Sequence, residues 1–282
     1  MSAAPQLTGF RRADGRFGVR GHVLVLPSVV CSSHAAREIA GAGPALAITH
    51  QHGCLHVGDD LVHTEHELVG TAANPNVAGV VVVSLGCETI NGARLAREIA
   101  ATGQTVELVG IQHSGGTARA VADGRAAVER LLAAGADAAR EPIEPGALTV
   151  GIDTATDPLV GPLSDALRAA GFVPVAAPEG LRGAEAHVAL AERGAQLIVG
   201  LPAPDEPPIG FAVCPVLAVG RGSGLHDALA DDFDLHAGED EDADALVARI
   251  VGQVLVHVAG EPTASERRGA RDYVLHRLAM TM

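Results

Sequence analysis

The chain has 282 residues, a formal net charge of −14 and 48% hydrophobic residues, of which very few are aromatic. That length holds one large core or two modest ones. The acidity argues against binding a phosphate backbone, and five Phe and one Tyr are too few for the stacking platforms of single strands, so no nucleic-acid partner is expected.

All 20 basic residues are arginine, which excludes a P-loop lysine and a lysine Schiff base. The longest apolar run, Val77 to Leu85, is too short to span a bilayer, so no membrane partner is expected. Residues 1–20 carry four arginines and no apolar core segment, unlike a signal peptide. A cytoplasmic location follows as the expectation. Cys31, Cys54, Cys87 and Cys214 are then reduced thiols or metal ligands rather than disulfides.

In chain order, the first 20 or so residues read as an extended, arginine-rich arm. His22 to Pro27 reads as a strand, followed by a loop at Cys31–Ser32–Ser33 and a helix to about Ala42. Strands are predicted near 45–49, 79–85 and 106–111, with helices over 60–73, 91–102 and 117–134. Glu141 to Gly146 is a Pro/Gly linker. A second series follows: strands at 148–152, 172–176, 196–200 and 214–219, and helices near 160–170, 184–193 and 242–258. Gly171 and Gly194 read as helix stops. Pro202 to Pro208 reads as a rigid exposed connection, and Asp231 to Asp244 as a solvated acidic loop. Strands alternating with helices predict an α/β fold of two Rossmann-like lobes, each a mostly parallel sheet flanked by helices, over 1–145 and 146–282.

Chemistry concentrates where the first three loops leave their strands. Ala45 to Thr49 runs into His50, His52, Cys54 and His56; Val80 to Leu85 runs into Cys87 and Glu88; Leu108 to Ile111 runs into Gln112, His113, Gly115, Gly116 and Thr117. Ligands of open parallel sheets bind beyond the carboxyl ends of the strands, so these stations predict one site. Thiolates and imidazoles suit iron or zinc. Gly115, Gly116 and Thr117 at a helix start offer N–H groups to a carboxylate. Together they suit removal of a proton next to a carboxylate. Each member alone also has a plain structural use, as a packed thiol or a turn glycine. His63 and His66 read as surface residues, and His187, His226, His236, His257 and His276 as ordinary, with His226 set apart by the glycines before it. Cys214 reads as a buried thiol.

Several segments together resemble the altronate/galactarate dehydratase family, which includes the large subunit of sulfolactate sulfo-lyase. They are Gly9 to Arg20, Thr49–His50 with Gly53–Cys54, Asn74 to Val77, Gly86–Cys87–Glu88, Gln112 with Gly115–Gly116–Thr117, Gly220 to Ser223, and Ala259 to Glu266. Leu55 stands where the family has glycine, Gly21 stands where it has asparagine, and the middle of the chain is shorter than in the family.

The resemblance implies a metal-dependent lyase that removes water from a sugar acid or hydroxy acid, or sulfite from a sulfo-hydroxy acid. It also implies an Fe(2+) or related divalent ion, and a small SAF-type subunit as partner. A homo-oligomer is expected. On this reading His50, Cys54 and Cys87 lie at the metal, and His52, Glu88 and His113 supply acid–base groups. Gln112, Gly115, Gly116 and Thr117, helped by Arg16, Arg20 and Arg221, bind the acid substrate. A non-catalytic, partner-binding subunit and a zinc hydrolase are the rival readings.

Overall fold

A computed structural model describes residues 6–54, 57–135, 138–222, 224–238 and 240–278. The first lobe contains β3 (His22–Pro27), preceded by β1 (Thr8–Arg11) and β2 (Phe17–Gly18). It continues through α1 (Ser33–Ala40), β4 (Leu46–Ala47), α2 (Gly58–Ala72), β5 (Val77–Ser84), α3 (Gly92–Ala101), β6 (Val106–Gly110) and α4 (Thr117–Gly135). The second contains β8 (Thr149–Ile152), after a short β7 (Glu141–Pro142). It then runs through α5 (Val160–Ala169), β9 (Val173–Ala176), α6 (Gly183–Glu192), β10 (Leu197–Gly200) and β11 (Val216–Arg221). The last elements are α7 (Leu225–Ala228), β12 (Leu235–Ala237), α8 (Ala243–Val258) and α9 (Ala264–Arg268).

The sheet of the first lobe has the order β4-β3-β5-β6, and that of the second β12-β11-β10-β8-β9. Every pairing in both is parallel. The strands are near-continuous apolar runs because both faces are covered. Leu24, Leu26, Val80 and Val82 face the layer formed with α2 and α3, while Val23, Val25, Val81 and Val83 face α1 and α4. These eight side chains are essentially inaccessible, each worth about 1.5–3 kcal/mol for a residue of this size. The first layer continues into the second lobe through α6 and residues 211–216, giving one shared core between the lobes.

The predicted arm is not a free extension. β1 pairs antiparallel with β2 and with β7, so the arm and the predicted linker close a small three-stranded sheet. The predicted acidic loop also differs. It contains β12, and the buried Asp234 accepts hydrogen bonds from the backbone of Ala218 and Ala264. Gly171 and Gly194 do sit just past helices with φ of 90° and 82°. No helix among the described residues is long and apolar enough to cross a membrane.

The amino ends of the two sheets adjoin. Asn76, just before β5, accepts from the backbone N–H groups of Val19 and Arg20 and donates to the carbonyls of Gln196 and Val213. Asn74 donates to Ala191 and Ala195. Gln196 takes the N–H of Thr149 and donates to Phe17 and Ala147. This amide lattice pins the start of β5 to the starts of β8, β10 and β11.

Candidate active site

In both sheets the chain starts in the middle, steps to one side, then returns to the other. The gap between β3 and β5, and the gap between β8 and β10, are therefore the topological switch points where α/β proteins bind ligands. At the first of these, Ser28 follows β3 and Glu88 follows β5. Ser28 Oγ donates to Glu88 Oε1 at 2.8 Å, which also takes the N–H of Leu85, while Glu88 Oε2 takes the N–H of Gly86 at 2.5 Å. Both carboxylate oxygens are occupied. Glu88 braces the Cys87 turn across the switch point, and its predicted acid–base role gives way to a positioning one.

The loop after β4 folds onto the same place. Val30 donates to the carbonyl of His52, and a Cβ at Gly53 would stand 2.6 Å from the Ser28 carbonyl, so only glycine fits there. His50 is buried, with Nε2 2.8 Å from the Pro27 carbonyl and Nδ1 accepting from the His52 N–H at 3.3 Å. This pattern assigns the tautomer with the proton on Nε2. Both ring nitrogens serve the loop, so His50 is a loop brace and not the predicted metal ligand. His52 is buried and its backbone joins the same lattice. Cys31, Cys54 and Cys87 are exposed free thiols around Ser28. His56 and Leu55 lie outside the described residues.

The third station follows β6. Gln112 N–H bonds to the Leu85 carbonyl, and Gly86 is needed because a Cβ there would lie 2.5 Å from Gln112 Oε1. His113 is exposed beside Gly110, and no hydrogen bond holds its ring among the described residues. The Gly115 and Gly116 N–H groups are not available as a cradle. They donate to the carbonyls of Gln112 and Ile111. What remains for an anion is the first turn of α4 at Thr117. Arg119 adds to it: its guanidinium folds back toward Gly115, within 3.3 Å of where a Cβ would stand, with no ion pair among the described residues. Sequence reading missed Arg119; its place one turn into the helix that follows the glycine pair was the available signal.

The three predicted arginines are elsewhere. Arg16 pairs with Asp14 and bonds the Ala73 carbonyl. Arg20 pairs with Glu266 at 2.7 Å and bonds the carbonyls of Val19, His257 and Glu261. Both lie at the amino end of the first sheet, a strand length of roughly 20–26 Å from the thiols. Arg221 ends β11 in the second sheet and pairs with Asp157 at 2.7 Å. None of the three joins the first-lobe stations; they hold the lobe junction and a second-lobe loop.

No three His, Cys, Asp or Glu side chains converge closely enough among the described residues to hold a metal ion. With His50 and Glu88 engaged, the open donors among the described residues near the three strand ends are the thiols and His113, and they do not by themselves complete a divalent-metal site.

The comparisons bear on this same region. Residues 9–136 match the profile described as D-galactarate dehydratase/Altronate hydrolase, second domain. The (2R)-sulfolactate sulfo-lyase subunit beta of Chromohalobacter salexigens is 41% identical over 108 residues, 38% of this chain and 27% of that protein. The altronate dehydratase of Bacillus subtilis is 37% identical over 98 residues, 31% of this chain and 20% of that protein. The altronate dehydratase of Escherichia coli is 34% identical over 90 residues, 28% of this chain and 18% of that protein. The chain thus matches about a quarter or less of the length of these relatives. Residues 9–136, from the arginine-rich opening through the three strand-end stations, are thus similar to the second domain of D-galactarate dehydratase/altronate hydrolase.

Proposed function

We propose that the first lobe is the substrate-handling part of a lyase that eliminates water from a small hydroxy acid or sugar acid. A sulfo-hydroxy acid losing sulfite is the alternative, after the sulfo-lyase relative. The observation that supports this reading is that Cys54, Cys87, His113 and Arg119 all lie on the loops and helix start that follow β4, β5 and β6 at the carboxyl end of one parallel sheet, within the segment matched to dehydratases.

In this reading the substrate carboxylate sits on the first turn of α4 and on Arg119. His113 takes the proton from the carbon beside it. The electron pair of that C–H bond becomes the carbon–carbon double bond, the C–O bond breaks, and the hydroxyl leaves as water with the proton that His113 gives back. Glu88 and Ser28 hold the Cys87 turn in place. No step is assigned to a metal, because the donors here do not complete a site. A companion SAF-type subunit is the proposed source of the missing donors, in keeping with a relative named as a subunit.

The test is an elimination assay with altronate, galactarate and sulfolactate, on the chain alone and with a companion small subunit, with and without added Fe(2+). His113→Gln should lower kcat by about 10²-fold or more, and Cys87→Ala should abolish turnover. No turnover under any of these conditions favours the non-catalytic, partner-binding reading.

A further inference from the structure

The second lobe has its own switch point, which neither the family match nor the proposed lyase chemistry uses. We infer that the cleft between β8 and β10 is a second ligand site, for a small hydroxy-carboxylate.

A cavity of about 240 Å³ opens there. Asp153 follows β8 and is buried; its Oδ1 takes the N–H of Leu201, just past β10, at 2.8 Å. His187, on α6, lines the same cavity and is 0% exposed. Neither of its ring nitrogens has a hydrogen-bond partner among the described residues. The nearest charged group is Asp153, whose Oδ2 stands 3.5 Å from Nε2, outside hydrogen-bond geometry. Fully buried polar side chains are almost always satisfied. A ring whose tautomer no partner fixes can offer a ligand either an N–H or a lone pair, and a group that both donates and accepts meets either case. A hydroxyl does both; an ammonium only donates.

The rest of the cavity defines what carries that hydroxyl. Arg182 lines it just before α6, and its guanidinium has no ion pair or hydrogen bond among the described residues. A free guanidinium beside a helix start selects a carboxylate. Pro207, Pro208 and Ile209 supply an apolar wall for a short carbon skeleton. Buried His226 fixes this wall from behind, accepting the Arg221 N–H on Nδ1, with Nε2 3.0 Å from the carbonyls of Ala203 and Glu206. The predicted exposed connection at 202–208 is thus one side of a cleft.

The test uses the full chain and three probes: glycerate, glycerol and propionate. Histidine ring signals are followed by NMR, with calorimetry in parallel. Glycerate should shift one ring signal saturably, with Kd of about 1 mM or tighter, and that signal should vanish in His187→Gln. Glycerol, which lacks the carboxylate, and propionate, which lacks the hydroxyl, should each bind about tenfold more weakly. Arg182→Gln, an exposed substitution that leaves the core intact, should weaken glycerate by the same order and carries the test by calorimetry alone. Cys54→Ala and Cys87→Ala should leave the glycerate-dependent shift of the His187 signal unchanged, which separates this site from the lyase reading. Absence of saturable glycerate binding, equal binding of all three probes, or full retention in Arg182→Gln overturns the inference.

Discussion

The two lobes solve the same topological problem in opposite ways. In each, a carboxylate bridges the switch point. In the first lobe it comes from the returning strand, where Glu88 after β5 takes the hydroxyl of Ser28 after β3. In the second it comes from the starting strand, where Asp153 after β8 takes the backbone of Leu201 after β10. The consequences differ. Glu88 is saturated by three donors and ties the two strand ends to each other, and the thiols of the first lobe stand exposed. Asp153 keeps one oxygen toward His187, and the gap stays open as a cavity. A shared strand order therefore does not dictate where a ligand fits; the direction of one bridging side chain does.

The sharpest way to break this comparison is to separate the lobes. Asn76 is fully buried and uses its side chain in four hydrogen bonds at the junction, two of them to the second lobe. Asn76→Ala strands two N–H groups and two carbonyls, and should cost about 3–5 kcal/mol. Urea unfolding followed by circular dichroism checks it. A single transition at lower midpoint supports one body. Two resolved transitions in the variant would show that each lobe holds together alone and that the amide lattice is their main tie.

The same interface has a pH dependence. Glu67 on α2 is buried against the C-terminal segment, bonded to the His276 N–H and 3.3 Å from His63 Nε2. Burial, reinforced by the nearby Glu192 and Glu185, pushes its carboxyl up to about 8. The folded protein then holds a proton that the unfolded chain releases near 4.5. Stability from this group is present in full below that value and falls as pH rises toward 8. Glu67→Gln should remove the loss, gaining on the order of 1–3 kcal/mol at pH 8 and little at pH 4.5. Melting temperatures at the two pH values check it. Equal gains at both would place the effect in packing rather than ionisation.

How much of this was legible in the sequence depends on the kind of contact. β3 and β5 announce themselves as apolar runs, and α3 and α4 by helical spacing, because burial on both faces or one leaves a periodic trace. β4 is shorter than read, since only Leu46 and Ala47 pair with β3. The pairing of β1 with β7 left no trace, because it joins residues some 130 apart. Residue type marked the three loops that follow β4, β5 and β6 but misassigned partners. Arg20 looks like a carboxylate binder, and its carboxylate is Glu266. His50 looks like a metal ligand, and its partners are backbone groups that a sequence does not position. His187 looked ordinary among alanines and valines because an unpartnered buried ring is a property of the fold alone.

The two switch points predict different responses to the same conservative change. Glu88→Gln keeps the shape but replaces one acceptor oxygen with a donor NH₂. That group would face an N–H donor at Gly86 or the donors at Leu85 and Ser28, so a mismatch is unavoidable in either orientation. The cost should be about 1–3 kcal/mol, with faster amide hydrogen exchange confined to the Cys87 turn. Asp153→Asn can keep Oδ1 on the Leu201 N–H and turn its new NH₂ toward His187 Nε2, which has no partner. That exchange should be neutral to within about 0.5 kcal/mol, or slightly stabilising. Thermal unfolding of the pair gives the answer directly. Equal losses would mean that the second-lobe carboxylate is as fully committed as the first, and the contrast between the two bridging carboxylates would fall.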